Sequence, residues 1–171
     1  VLIRNETPAD EAAVRTVNLA AFDTPADAQL VDALRGATFP YVSLVADDKG
    51  QIVGHILLTP VLLPGHPRAR LMGLAPMAVL PDYQRSGVGT ALIREGLRHS
   101  REAGAGAVVV LGHPDYYPRF GFVPASRYGI GCQYVAAGDA PDDAFMILEL
   151  LPGHLQGLSG MVEYHAAFAA L

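Results

Sequence analysis

Gln84, Gly87 and Gly89 stand in the order Gln-x-x-Gly-x-Gly, with Arg85 next to the glutamine. An apolar run from Pro76 to Leu80 precedes them, a polar turn opened by Pro81 carries them, and an amphipathic pattern follows at once. This order predicts an anion site. The first turn of a helix leaves backbone N–H groups unpaired, and the helix dipole favours negative charge there. Gly87 and Gly89 lack a Cβ, so a phosphate can approach the backbone closely. Two familiar phosphate loops are excluded. A Walker A loop needs Lys-Ser/Thr after its last glycine, and Thr90-Ala91 follow Gly89. A dinucleotide fingerprint needs a third glycine where Leu92 stands. A glycine turn that only closes a strand–helix connection is the plain alternative.

A second segment narrows the choice. Ala107 to Leu111 is a continuous apolar run bounded by glycines, the pattern of a buried strand. Gly112-His113-Pro114-Asp115-Tyr116-Tyr117-Pro118-Arg119-Phe120-Gly121-Phe122 follows it. The glycine motif resembles the pyrophosphate-binding motif of the GNAT superfamily of N-acetyltransferases. The second run resembles the Tyr-x-x-x-Gly-Phe end of the same superfamily, with Tyr117 at the tyrosine position. The full run, with Val53-Gly54-His55-Ile56 and the opening Ile3-Arg4-Asn5-Glu6-Thr7-Pro8-Ala9-Asp10, is similar to a subgroup of small bacterial predicted acetyltransferases.

The resemblance implies direct transfer of an acyl group, acetyl above all, from coenzyme A to a primary amine, with no covalent enzyme intermediate and no metal. It implies a fold: a mixed, mostly antiparallel sheet splayed at its middle and flanked by helices. Backbone amides from Arg85 through Ser86, Gly87, Val88, Gly89 and Thr90 would meet the pyrophosphate. Met77, Ala78 and Val79 would expose strand backbone to the pantetheine arm, and Met77 or Ala78 N–H would stabilise the oxyanion. Tyr117 would protonate the departing thiolate, since a phenol of pKa ~10 suits a thiol of ~8.5. Tyr116, one residue away, is the alternative. The strand from Arg70 to Leu80 holds no carboxylate, so the usual base is missing. His55, His113, Asp115 and a water chain are the candidates, although turn or core roles suit all three residues. Arg119 can serve the 3′-phosphate or simply a helix end. A non-catalytic acyl-CoA-binding regulator is the rival function.

These residues need elements to position them. Val1 to Asn5 reads as a strand. Thr7-Pro8-Ala9-Asp10 and Thr24-Pro25-Ala26-Asp27 each signal a helix start. Tyr41 to Ala46 and Gln51 to Thr59 should pair antiparallel across Asp47-Asp48-Lys49-Gly50. Arg70 to Leu80 is the central strand, Gly87 to Ala103 a helix stopped by Gly104, Pro114 to Phe120 a short helix, and Ala144 to Leu151 a last clear strand. Met161 to Tyr164 suggests a final packed strand. The Gly87 helix makes one parallel crossover. The acceptor should be shaped by Phe22 to Asp27 and by the Pro60 to Arg70 loop, neither of which carries a specificity code.

Composition sets the outer limits. The 171 residues are 51% apolar and suit one domain spanning 1–171. A net charge of −5 and a pI near 5.6 argue against a general nucleic-acid or membrane-surface binder. A local basic patch at Arg85, Arg94 and Arg98 remains compatible. Cys132 is the single cysteine and reads as a small core residue, in keeping with a reducing, cytoplasmic setting. His66, His99, His154 and His165 show no metal-ligand spacing. The oligomeric state is open; a homodimer is common in folds of the resembled family, by analogy only.

Overall fold

A computed structural model describes residues 1–171. The strands are β1 (Leu2–Asn5), β2 (Val42–Asp48), β3 (Gln51–Val61), β4 (Leu71–Val79), β5 (Ala107–Leu111), β6 (Val123–Pro124), β7 (Ile130–Cys132), β8 (Phe145–Glu149) and β9 (Gly160–Val162). The helices are α1 (Glu11–Ala21), α2 (Ala26–Leu34), α3 (Val88–Glu102) and α4 (Gln133–Ala136). The chain forms two compact units that interleave in sequence. One comprises Val1–Thr59, Ala75–His99 and Ala166–Leu171; the other comprises Pro60–Leu74 and Ser100–His165.

The first unit carries an antiparallel meander, β1-β2-β3. Its β2–β3 hairpin turns on Lys49 and Gly50, both at positive φ (52° and 93°), the two-residue geometry whose twist suits flanking strands. The N-terminal cap forms as the sequence predicts: Asp10 accepts the Thr7 N–H at 2.8 Å. Arg4 grips the same carboxylate and also donates to Asp47. Asp10 is therefore held well below the usual carboxylate range, chiefly by that guanidinium. Val14, Val17, Leu30, Val31 and Leu34 supply the buried faces of α1 and α2. Helix α3 lies close on β3 because glycine stands at both contacts. A Cβ at Gly54 would lie 3.0 Å from Leu92, and one at Gly96 would lie 2.9 Å from Leu58.

The second unit is built on β5. It pairs parallel with the first residues of β4, Leu71 to Gly73, and antiparallel with all of β8. β6 adds to β8. The ladder from β4 to β5 ends at Gly73, while β4 continues to Val79. The sheet is thus mixed and mostly antiparallel, with one parallel crossover through α3, as expected. Val109, Ile130, Cys132, Phe145 and Ile147 meet in the core of this unit, so Cys132 is a packing residue.

Two expected elements differ in extent. The short helix expected over Pro114 to Phe120 is a 3-10 helix confined to Tyr117–Phe120, ended by Gly121 at φ 98°. Pro114 and Pro118 lack N–H groups, so an α-helix cannot propagate through them. The final strand expected over Met161 to Tyr164 is present, with bounds Gly160–Val162. It pairs parallel with β7 in a separate two-stranded sheet.

Candidate active site

The loop after β4 is held by its own side chains. Leu80 N–H donates to Val53 O at 2.9 Å, anchoring the loop to β3. Tyr83 O–H donates to the Asp48 carboxylate at 2.9 Å, which raises the phenol pKa. Gln84 Nε2 donates to Val79 O at 3.0 Å, and Ser86 Oγ donates to Tyr83 O. Gln84 therefore ties the loop to the end of β4 rather than reaching outward. Arg85 (φ 60°) and Gly87 (φ 90°) both adopt the left-handed region. Such alternation turns successive amides toward one concavity, the geometry of an anion nest. The first helical bond of α3 runs from Ala91 N–H to Gly87 O at 3.0 Å, so the amides of Val88, Gly89 and Thr90 make no helical bond.

Space and charge agree with that geometry. A Cβ at Gly87 would meet nothing within 4 Å, so its left-handed backbone, not crowding, demands glycine. Arg85 is exposed, and no carboxylate engages its guanidinium. Of the three arginines in the expected basic patch, Arg98 is paired with Glu95 at 2.7 Å. On β4, Met77 is half-buried while Ala78 and Val79 are buried. The β5 ladder stops short of all three, so the strand edge there is not spent on β5.

Tyr117 sits in the second unit, against the end of β5. Its ring packs edge-on to Tyr116 and Phe122, at centroid distances of 5.1 and 5.7 Å. Gly112 makes room for it, since a Cβ there would fall 2.4 Å from the Tyr117 ring. Burial, with a smaller contribution from Tyr116, pushes the Tyr117 phenol up to about 12. It stays protonated throughout the neutral range. Arg119 is committed locally: its Nε donates to Tyr116 O and its guanidinium lies 4.5 Å from the Tyr116 ring centroid.

The three candidate bases differ sharply. His113 and Asp115 are exposed, with Nδ1 and Oδ2 3.9 Å apart. The His113 carbonyl caps the turn by accepting from Tyr116 N–H at 3.1 Å. His55 is fully buried and already satisfied on both nitrogens. Asn18 Nδ2 donates to Val14 O at 3.0 Å and lies 3.2 Å from His55 Nδ1. Turning that amide over would set its oxygen against Val14 O, so Nδ1 accepts and Nε2 carries the proton. Nε2–H then donates to Ser43 Oγ at 2.8 Å, and Ser43 passes its hydroxyl proton toward Glu6 at 3.3 Å. Arg35 clamps Glu6 at 3.0 Å. Desolvation first, then Arg35, lowers the His55 pKa to about 3. This chain was not visible in the sequence, because its members are spread from Glu6 to His55.

Comparison with known proteins agrees with the geometry. A family model described as an acetyltransferase (GNAT) domain matches residues 40–124. The uncharacterized N-acetyltransferase YhbS of Escherichia coli strain K12 is 37% identical over 169 residues, 98% of each chain. The uncharacterized N-acetyltransferase YjhQ of the same strain is 44% identical over 120 residues, 68% of this chain and 66% of that protein. The crystal structure of Escherichia coli YhbS in complex with CoA superposes with a TM-score of 0.89 at 35% identity, covering 98% of this chain and 91% of that one. A GNAT family acetyltransferase from Brucella melitensis in complex with acetyl-CoA gives 0.78 at 39% identity, covering 98% and 97%. With the whole chain covered at this level of identity, the protein belongs to the GNAT family of N-acetyltransferases.

Proposed function

We propose that this chain, read as one N-acetyltransferase domain over 1–171, transfers an acetyl group from acetyl-CoA directly to a primary amine in a ternary complex. The observation that carries the reading is the Gln84–Thr90 loop. It pairs two left-handed residues with orphan amides and open space, and the relatives crystallised with CoA and acetyl-CoA share the fold of the chain as a whole. The amides from Arg85 to Thr90 hold the pyrophosphate, with the Thr90 hydroxyl adding a bond. The backbone of Met77, Ala78 and Val79 pairs with the amides of the pantetheine arm. Met77 N–H donates to the carbonyl oxygen that gains charge during transfer. Tyr117 O–H returns a proton to the sulfur as it leaves. The amine loses its proton to water or to the exposed His113–Asp115 pair, because His55 is sealed. The acceptor is a small-molecule or peptide amine, and the setting is cytoplasmic, in keeping with the free, buried Cys132.

One observation favours the rival reading of a non-catalytic acyl-CoA-binding regulator: β4, Leu-Met-Gly-Leu-Ala-Pro-Met-Ala-Val, has no carboxylate. Calorimetric titration with acetyl-CoA, beside ATP and NAD, tests the site. Micromolar binding of acetyl-CoA alone is expected, and equal or tighter binding of ATP or NAD overturns the assignment. An amine screen with free-thiol detection then separates enzyme from regulator.

A further inference from the structure

The second unit holds a cavity of about 910 Å³, on the loop expected to border the acceptor but lined by none of the residues given a part in acetyl transfer above. Its walls are the loop before β4, residues Gly65 to Arg70, and the segment after β8 that contains Gly153, His154 and Leu158. The volume falls within the ~300–1,000 Å³ of small-molecule sites. No carboxylate lines it, whereas Arg68 and Arg70 do, both exposed and neither in an ion pair. The nearby Glu149 carboxylate is committed to the amides of Gly153 and Leu155, at 3.1 and 3.0 Å. That contact shapes the wall.

His154 is fixed in this wall. Arg70 N–H donates to its Nε2 at 3.1 Å, which puts the proton of the neutral ring on Nδ1. The ring lies on Gly106, where a Cβ would come within 2.2 Å of it, so only glycine admits the ring there. No protein acceptor takes the Nδ1–H. Two free guanidiniums and one fixed neutral donor thus share a groove flanked by the apolar Pro67, Ala69 and Leu158. Guanidinium forks match two-oxygen anions.

We propose that this groove binds a small organic anion through a carboxylate or phosphate group, with Arg68 and Arg70 supplying the charge and Pro67, Ala69 and Leu158 flanking its apolar part. The site stands independently of the coenzyme assignment. Amide NMR of the full chain, titrated with inorganic phosphate and separately with succinate, tests it. At least one probe is expected to give saturating shifts at Gly65–Arg70 and Gly153–His154. The R68A/R70A double variant is expected to weaken that binding at least about tenfold, the equivalent of one charge-assisted contact. Coenzyme A, shifting Gln84–Thr90 equally in both proteins, shows that the variant is folded and keeps the two readings separate. No saturable shift at the groove with either probe, or shifts that survive the double substitution, overturns the proposal.

Discussion

Replacing His55 with glutamine should remove most of the acid sensitivity of this fold. The folded His55 has a pKa of about 3 against an ordinary 6.5, because it is fully buried and both ring nitrogens serve neutral hydrogen bonds. The unfolded chain therefore binds a proton that the folded chain refuses between pH 6.5 and 3. Above pH 6.5 neither state is protonated, and His55 contributes no pH dependence. Below it, stability falls by about 1.4 kcal/mol per pH unit. The penalty is about 2 kcal/mol at pH 5 and about 4 kcal/mol near pH 3, relative to pH 8. In a domain of this size that is a fall in Tm of roughly 4–8 °C at pH 5. Asp10 does not confuse this window. Its folded pKa lies below the ordinary 3.8, so its stabilisation is present above that value and lost only as pH falls further. His154 is also shifted down, which is why the difference between wild type and His55→Gln is the quantity to read. Urea midpoints and Tm measured from pH 8 to 4.5 should converge between the two proteins as pH falls. Parallel curves would refute the buried, neutral assignment.

Two further outcomes concern the chemistry. Tyr117→Phe should lower turnover by roughly 10²–10⁴-fold, the worth of a positioned acid, while calorimetry shows acetyl-CoA affinity within a few-fold of wild type. In the wild type, no alkaline fall in rate assignable to Tyr117 should appear below about pH 10, because its pKa is pushed up to about 12. Gly87→Val should weaken acetyl-CoA binding about 5- to 30-fold, because holding φ 90° costs an L-residue about 1–2 kcal/mol. Since a Cβ there meets nothing, the Tm should fall by only a few degrees. A large collapse in Tm with unchanged affinity would reverse the assignment of that glycine.

The parts legible in the sequence were those fixed by local chemistry. The Lys49-Gly50 hairpin, the Thr7-Asp10 cap and the Gly104 stop of α3 each rest on a residue's own backbone preference. Strand β5 was legible residue for residue, because five apolar residues between glycines admit few alternatives. The short helix expected over Pro114–Phe120 is cut to its last four residues because Pro114 and Pro118 remove backbone donors. β6 and β7 were hard to see, and β9 was placed only approximately, because each is only two or three residues long. Their pairing depends on partners distant in sequence, Ile147 for Val123 and Gly160 for Ile130.

The candidate site divides in the same way. A nest needs particular φ values, and glycine announces them, so the Gln84–Thr90 loop could be read from one stretch of chain. The left-handed Arg85 could not, because nothing in an arginine signals positive φ; the bonds made by Gln84 and Ser86 hold the turn in which it sits. Tyr117 could be named but not understood, since its raised pKa comes from burial, with Tyr116 contributing, and burial is set by the fold. Gly112 and Gly106 thus have a common role: each leaves the space that a ring occupies, Tyr117 in one case and His154 in the other. A glycine at either end of a buried strand, at a backbone angle any residue tolerates, is a signal of a ring seated from elsewhere in the chain. His55 marks the opposite limit. Its residue type advertises proton transfer, yet Asn18, Ser43, Glu6 and Arg35 together turn it into a neutral strut, and no one of them is near it in sequence.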